Sequence, residues 1–264
     1  MFTIEELKQQ IRAMGIEKDD TVLIHTSMRA VGPVENGADG VIDAFCQVLS
    51  DGLFLVPTHT WAVVNRDNPV YDVRSTVPNI GALPACAAFR KDGIRSLHPT
   101  HSIWGHGADA EAFLRGEENA RTPAPVGGAW NRLAERNAKI LLIGIGNERN
   151  TFIHAVDEIA DMPNRICPDA FDATVYDWQG REYHTQFCRH QTVFQGEEIH
   201  VSELFVNFDR AFTELGVWKE GKLGNAKVMV VDSAKCRDTI LKIYSRTNED
   251  LWLEIRDLDP KLWR

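Results

Sequence analysis

Three runs of residues that are apolar on both sides of an extended chain constrain this sequence most: Thr-Val-Leu-Ile-His at 21–25, Leu-Phe-Leu-Val at 53–56, and the stretch 139–145. A strand with two apolar faces must be covered on both, which places it inside a sheet sandwiched by helices. Segments with helical spacing supply the cover. Thr3-Ile4-Glu5-Glu6 has the form of a capping box, and Ile4, Leu7, Ile11 and Met14 follow on one face. A second helix is expected over 38–49, where Val41, Ile42, Phe45 and Leu49 share a side. Two more are expected over 80–89 and 150–160. The alternation implies an α/β fold, a mixed central sheet flanked by helices.

After Pro168 the pattern changes. Residues 173–178 and 182–187, joined by Gln179-Gly180, read as an appended β-hairpin region. Helices over 202–215 and 233–246 enclose a strand at 226–231. Residues 61–79, rich in Asn, Asp and Pro, read as a long loop, and loops of that length in compact domains are usually functional. With no repeat, low-complexity tract or linker, the expectation is one domain over 1–264.

Lys and Arg number 29 against 38 Asp and Glu, a formal charge of −9. Nucleic-acid binders show the opposite balance. An acidic surface steers cations inward and suits a polycationic small molecule, although it serves solubility equally. No segment approaches 18 uninterrupted apolar residues, so no membrane span is expected. The start lacks the layout of a signal peptide, which points to the cytoplasm. Cys46, Cys86, Cys167, Cys188 and Cys236 show no C-x-x-C spacing and read as reduced, mostly buried thiols.

Three motifs could carry chemistry. His25 to Gly32 follows the first strand, where α/β sheets bind ligands beyond their strand ends, and Thr26 and Ser27 could present hydroxyls and backbone N–H groups there. Arg95 to Ser102 gathers a guanidinium, three hydroxyls and two imidazoles, and an arginine fork suits a phosphate. His98, His101 and His106 invite a zinc reading, but neither the helical i, i+4 pair nor an H-E-x-x-H motif is present, so no metal is expected. In the third motif, Gly144 to Glu158, the strand 139–145 runs into a helix. Gly144 and Gly146 only weakly suggest a dinucleotide fingerprint. His154, with Asp157 and Glu158 three and four residues on, could act as a general base; a neighbouring carboxylate favours the imidazolium and can fix the ring's tautomer.

Taken in order and spacing, H-T-S-M-R-A-V-G at 25–32, L-F-L-V-P-T-H-T at 53–60, I-G-A-L-P at 80–84, R-S-L-H-P-T-H-S at 95–102, I-L-L-I-G-I-G at 140–146, N-T-F-I-H at 150–154 and G-K-L-G-N-A at 221–226 resemble the aminoglycoside 3-N-acetyltransferase family. The resemblance runs over nearly the whole chain. It implies a fold distinct from the Gcn5-related acetyltransferase fold, acetyl-CoA as cosubstrate, and a small cationic amine as acceptor. It places coenzyme contacts at Thr26, Ser27, Met28, Arg29, Ala30 and Val31, and at Arg95, Ser96, Pro99, Thr100 and Ser102. The catalytic histidine falls at His154, and acceptor contacts are expected from His59, Asp67 and Asp72. Many members carry a glutamate three residues after the histidine. Asp157 stands there in this chain, and its shorter arm opens the partner role to Glu158.

The reaction expected is removal of an ammonium proton by His154 and attack of the nitrogen on the thioester, with Thr151, Thr100 or a backbone N–H steadying the oxyanion. Nucleic acid and membrane are not expected partners; a homodimer is left open. The rival readings are the same fold acting on a different amine, a non-catalytic CoA binder, and a zinc hydrolase.

Overall fold

The computed structural model describes residues 1–247 and 253–264. Along them the chain runs α1 (Ile4–Ala13), β1 (Thr21–Thr26), α2 (Met28–Val31), α3 (Gly37–Val48), β2 (Leu53–Pro57), β3 (Val70–Asp72), α4 (Ala82–Ala87), β4 (Ile94–Arg95), β5 (Ile103–His106), α5 (Ala110–Phe113), α6 (Ala129–Glu135), β6 (Lys139–Ile143), α7 (Phe152–Ile159), β7 (Phe171–Tyr176), β8 (Glu182–Phe187), β9 (Thr192–Phe194), β10 (Glu197–Ile199), α8 (Asp209–Glu214), β11 (Trp218–Leu223), β12 (Ala226–Asp232) and α9 (Ser233–Tyr244).

The main sheet has seven strands in the order β11-β12-β6-β1-β2-β5-β4. Its centre, β6-β1-β2, is parallel; β5 and β12 join it antiparallel on either side. The central strands are the doubly apolar runs. Val22, Ile24, Phe54, Val56, Leu141 and Ile143 pack into one core with residues of α1 and α3. Leu23, Leu53, Leu55, Ile140 and Leu142 point the other way, into a second core with α6, α7 and α9. The expected mixed α/β sandwich is the fold that forms.

The ends of the elements follow local chemistry. Thr3 and Glu6 close the capping box at the start of α1. Asp232 caps α9 by accepting from Lys235 N at 3.0 Å. β6 stops before Gly144, whose φ of +68° lies in the left-handed region and whose Cβ, were there one, would sit 2.3 Å from Ala30 Cβ. This turn, pressed against α2, explains the glycine better than a dinucleotide fingerprint does.

Several expectations need correction. The 61–79 stretch is not structureless: β3 lies in it and pairs parallel with β7, giving a second sheet β3-β7-β8. The helix expected over 202–215 is a 3-10 helix (Val201–Phe208) followed by α8. The helix expected over 80–89 is only the six residues of α4. Of the five thiols, Cys167 and Cys236 are buried and three are half-buried. Among the described residues no helix is long and apolar enough to cross a membrane.

One buried acid makes stability pH-dependent. Glu117 is buried; its Oε1 accepts from Ala129 N at the start of α6 (2.8 Å), while Oε2 has no hydrogen-bond partner. Burial pushes its carboxyl up to about 7 from 4.5. The folded chain therefore holds this proton more tightly than the unfolded one. The resulting stability is complete below pH 4.5 and is lost as pH rises through 7, by up to about 3 kcal/mol. Glu117→Gln is expected to flatten that slope, so urea unfolding at about pH 8 should show the variant more stable than the parent, and at about pH 5 nearly equal.

Candidate active site

The parallel centre of the sheet brings the C-terminal ends of β1, β2 and β6 to one edge, the place where α/β sheets open a crevice. A cleft of about 1140 Å³ lies there. Its floor comes from Ile24–Ser27, Pro57, His59, Thr100 and His101. One wall is the 61–67 segment, another is residues 145–151 with His154, and a third is the stretch after β8 together with 198–203.

Six histidines crowd this region. His25, His59, His98 and His101 are buried, while His154 and His190 keep a partly exposed edge. Burial is the first cause lowering all six below the usual imidazole value: to about 3 for His25 and His190, about 4 for His98, and well below 6.5 for the rest. At neutral pH these six imidazoles are thus uncharged. His98 is held in a single tautomer. Its Nδ1 accepts from the backbone N–H of His101 at 2.9 Å, which leaves Nε2–H to donate to Thr122 O at 3.0 Å.

His154 sits in the first turn of α7, whose Phe152, Ile153 and Val156 anchor in the core. Its ring stacks on His190 with centroids 4.0 Å apart and planes 28° apart, and it meets the Phe205 ring edge-on at 4.8 Å. Asp157 Oδ2 lies 3.8 Å from His154 Nδ1, within charge range but beyond a hydrogen bond. Asp157 is buried, accepts from Tyr244 OH at 2.5 Å, and faces Arg165 at 3.7 Å. Burial, then His190 and Arg165, lower His154 well below the usual imidazole value, the direction opposite to the one a neighbouring carboxylate gives.

Glu158 points elsewhere. It accepts from Thr122 Oγ1 at 2.5 Å and from Ala124 N at 2.8 Å, and its Oε1 is 3.7 Å from His190. It faces the second imidazole and leaves Asp157 as the carboxylate beside His154.

The remaining expected positions divide. Thr26, Ser27, Thr100, His59 and Asp67 line the cleft. Ser27 is also committed locally, since its Oγ caps α2 by accepting from Ala30 N. Thr100 Oγ1 is bonded to His101 Nδ1 at 2.9 Å. Met28 and Ala30 pack on the core, Val31 lies in it, and Arg29 is exposed. None of these four is among the cleft-lining residues.

Arg95 is not presented to a phosphate. It is 1% exposed, and its guanidinium donates to Thr58 Oγ1 and Ser102 Oγ, to Thr76 O at 2.7 Å and to Thr58 O at 3.0 Å. Ser96, Pro99 and Ser102 are buried in the same network, with Ser96 O accepting from Tyr71 and Pro99 O from Thr60. This polar segment braces the cleft floor from beneath. Asp72 is held by Arg74 away from the cleft. His98 and His101 meet at 5.8 Å, but His106 is bonded to Asp92 elsewhere, so the three histidines do not converge on one ion.

Sequence reasoning missed His190, and also Glu148, Arg149, Arg189 and Trp61 as cleft residues. His190 reaches His154 through an isolated bridge to Ile166. No local pattern announces such a placement.

A sequence model of the aminoglycoside 3-N-acetyltransferase family matches residues 23–245. The chain belongs to that family. Among curated relatives of this aminoglycoside 3-N-acetyltransferase family member, aminoglycoside N(3)-acetyltransferase IV of a Salmonella species is 26% identical over 260 residues, covering 93% of this chain and 87% of the relative. Aminoglycoside N(3)-acetyltransferase VII of Streptomyces paromomycinus is 30% identical over 181 residues, 62% of each protein. Type III of Serratia marcescens is 27% identical over 182 residues, 62% of this chain and 67% of the relative. Solved structures share the fold. Aminoglycoside acetyltransferase AAC(3)-IVa, as a mutant in complex with a gentamicin, superposes with TM-score 0.77 at 23% identity, covering 93% of this chain and 89% of that one. AAC-IIIb, binary with CoASH, superposes with TM-score 0.73 at 20% identity, covering 89% and 93%.

Proposed function

We propose that this chain transfers the acetyl group of acetyl-CoA to an amine of an aminoglycoside-like substrate, with His154 as general base. One observation carries the reading: an uncharged imidazole at the mouth of α7, beside a buried carboxylate, on a cleft large enough for two reactants. Family membership supports it, as do relatives of the same fold solved with a gentamicin and with CoASH.

An ammonium group has no lone pair to offer. His154 takes its proton, and the freed nitrogen attacks the thioester carbon. The tetrahedral intermediate expels the coenzyme thiolate, which takes up a proton, leaving an amide and CoASH. The imidazolium that forms is stabilised by Asp157. Thr100's hydroxyl is already engaged with His101, so Thr151, at the cleft and just before α7, is the better oxyanion candidate. Thr26 and Ser27 on the floor, and Arg149 on a wall, are the groups available to the coenzyme, since the Arg189 guanidinium is held by Glu198. Asp67, Glu148, Asp169 and Glu203 give the lining its negative charge for a cationic acceptor. Acetylation removes one positive charge from such a substrate, which is how it would confer resistance. The cytoplasm, where acetyl-CoA is available, is the compartment this activity requires.

The test is free-thiol release from acetyl-CoA across a panel of aminoglycosides and simple polyamines. Release with at least one aminoglycoside, and little with the polyamines, is expected. Release with none, alongside heat stabilisation by CoA, would mean a binder without turnover.

A further inference from the structure

At the end of the sheet remote from the cleft, Cys46 of α3, Asp92 just before β4, and His106 at the close of β5 come together. One ligand atom from each lies within 4.8 Å of the others. β5 runs antiparallel to β2, so that His106 pairs with Phe54 while Ile103 pairs with Pro57, the residue at the cleft. None of the three lines the cleft, and the acetyl-transfer reading uses none of them.

The side chains are held, not merely near. Arg90 grips Asp92 with two donors, Nε to Oδ1 at 3.0 Å and Nη2 to Oδ2 at 2.5 Å. The same guanidinium reaches Asp39 and Asp43, at 2.7 Å each. Three carboxylates thus surround one cation, and the cluster carries excess negative charge. The His106 ring stacks on Trp104 with planes 21° apart, and its Nδ1 is 2.6 Å from the Asp92 carbonyl oxygen. When Nδ1–H donates that bond, the lone pair of Nε2 is left for a metal, the usual way a backbone carbonyl sets a ligand histidine.

We propose that Cys46, Asp92 and His106 form a divalent transition-metal site, suited to Zn²⁺, that ties α3 to the β4–β5 edge of the sheet. One sulfur, one imidazole nitrogen and one carboxylate oxygen are the donors zinc takes in tetrahedral sites, and the exposed side at Asp92 leaves the fourth position to water. Binding replaces the Cys46 Sγ proton, which passes to solvent, with a metal–sulfur bond. No redox change is involved.

The test uses the full chain in metal-free buffer, titrated with Co²⁺ and then Zn²⁺. One equivalent of Co²⁺ should produce a thiolate-to-cobalt band and the visible absorption of a tetrahedral ion, and Zn²⁺ should displace both. Zn²⁺ alone should raise the melting temperature. Cys46→Ser should abolish the thiolate band. Asp92→Asn, at an exposed position, should fold normally and bind Zn²⁺ roughly tenfold or more weakly, as should His106→Gln. Cys86→Ser, on the neighbouring α4, should change neither spectrum nor affinity. The proposal is overturned if the parent shows no thiolate band with Co²⁺, or if the band survives Cys46→Ser and disappears in Cys86→Ser. None of these readouts depends on acetyl transfer.

Discussion

Replacing His154 by alanine is expected to lower turnover of an aminoglycoside by roughly 10²–10⁴-fold, the range that a positioned general base contributes. Binding of CoA, followed by the rise in melting temperature it produces, should be nearly unchanged, because in the proposed reaction the imidazole meets the substrate nitrogen rather than the coenzyme's phosphates. The parent enzyme carries a second signature. An ordinary imidazole protonates near pH 6.5, but burial holds His154 well below that. The acid limb of kcat should therefore lie below 6.5, with the base still competent in mildly acidic buffer. Turnover of the alanine variant close to that of the parent would remove His154 from the chemistry, whatever its position.

Asp157→Ala is expected to cost about 3–5 kcal/mol of stability, read as a shift of the denaturant midpoint at constant m-value. The size follows from what the carboxylate touches. It is 1% exposed, accepts a 2.5 Å hydrogen bond from Tyr244 on α9, and stands 3.7 Å from the buried Arg165. Its loss takes one acceptor from the Tyr244 phenol and one counter-charge from the buried Arg165 guanidinium. Asp157→Asn keeps an oxygen for Tyr244 and should lose markedly less stability. The asparagine variant also isolates the electrostatic role: if the charge steadies the imidazolium, turnover falls while the fold survives. A fully active, fully stable Asp157→Ala protein would show that this carboxylate matters to neither.

The two kinds of residue differ in how legible they are, and the reason is physical. β1, β2 and β6 could be read directly, because burial on both faces leaves only apolar choices over several consecutive positions. β11 could not: it is an edge strand carrying Lys219, Glu220 and Lys222, the charges that protect an edge and erase its pattern. β4 and β5, of two and four residues, are too short for any period to show. In the site, the strand, helix and nearby carboxylates mark His154 only as a candidate, the family resemblance singles it out, and the structure puts it on the cleft. Arg95 misled for the opposite reason. A polar cluster looks the same in sequence whether it faces a ligand or satisfies itself in the interior, and here the donors end on Thr58, Thr76 and Ser102. His190 carries no local mark at all, since its place over His154 is set by pairing with a distant segment.

The pairing of β3 with β7 has a consequence for engineering. The strand that closes the stretch bearing Trp61 and Asp67 is hydrogen-bonded, residue for residue, to a segment far later in the chain. Chimeras that import this stretch from a relative will inherit a mismatched neighbour unless the partner hairpin travels with it. Exchanging both pieces as one cassette keeps the two strands paired and the cleft wall seated.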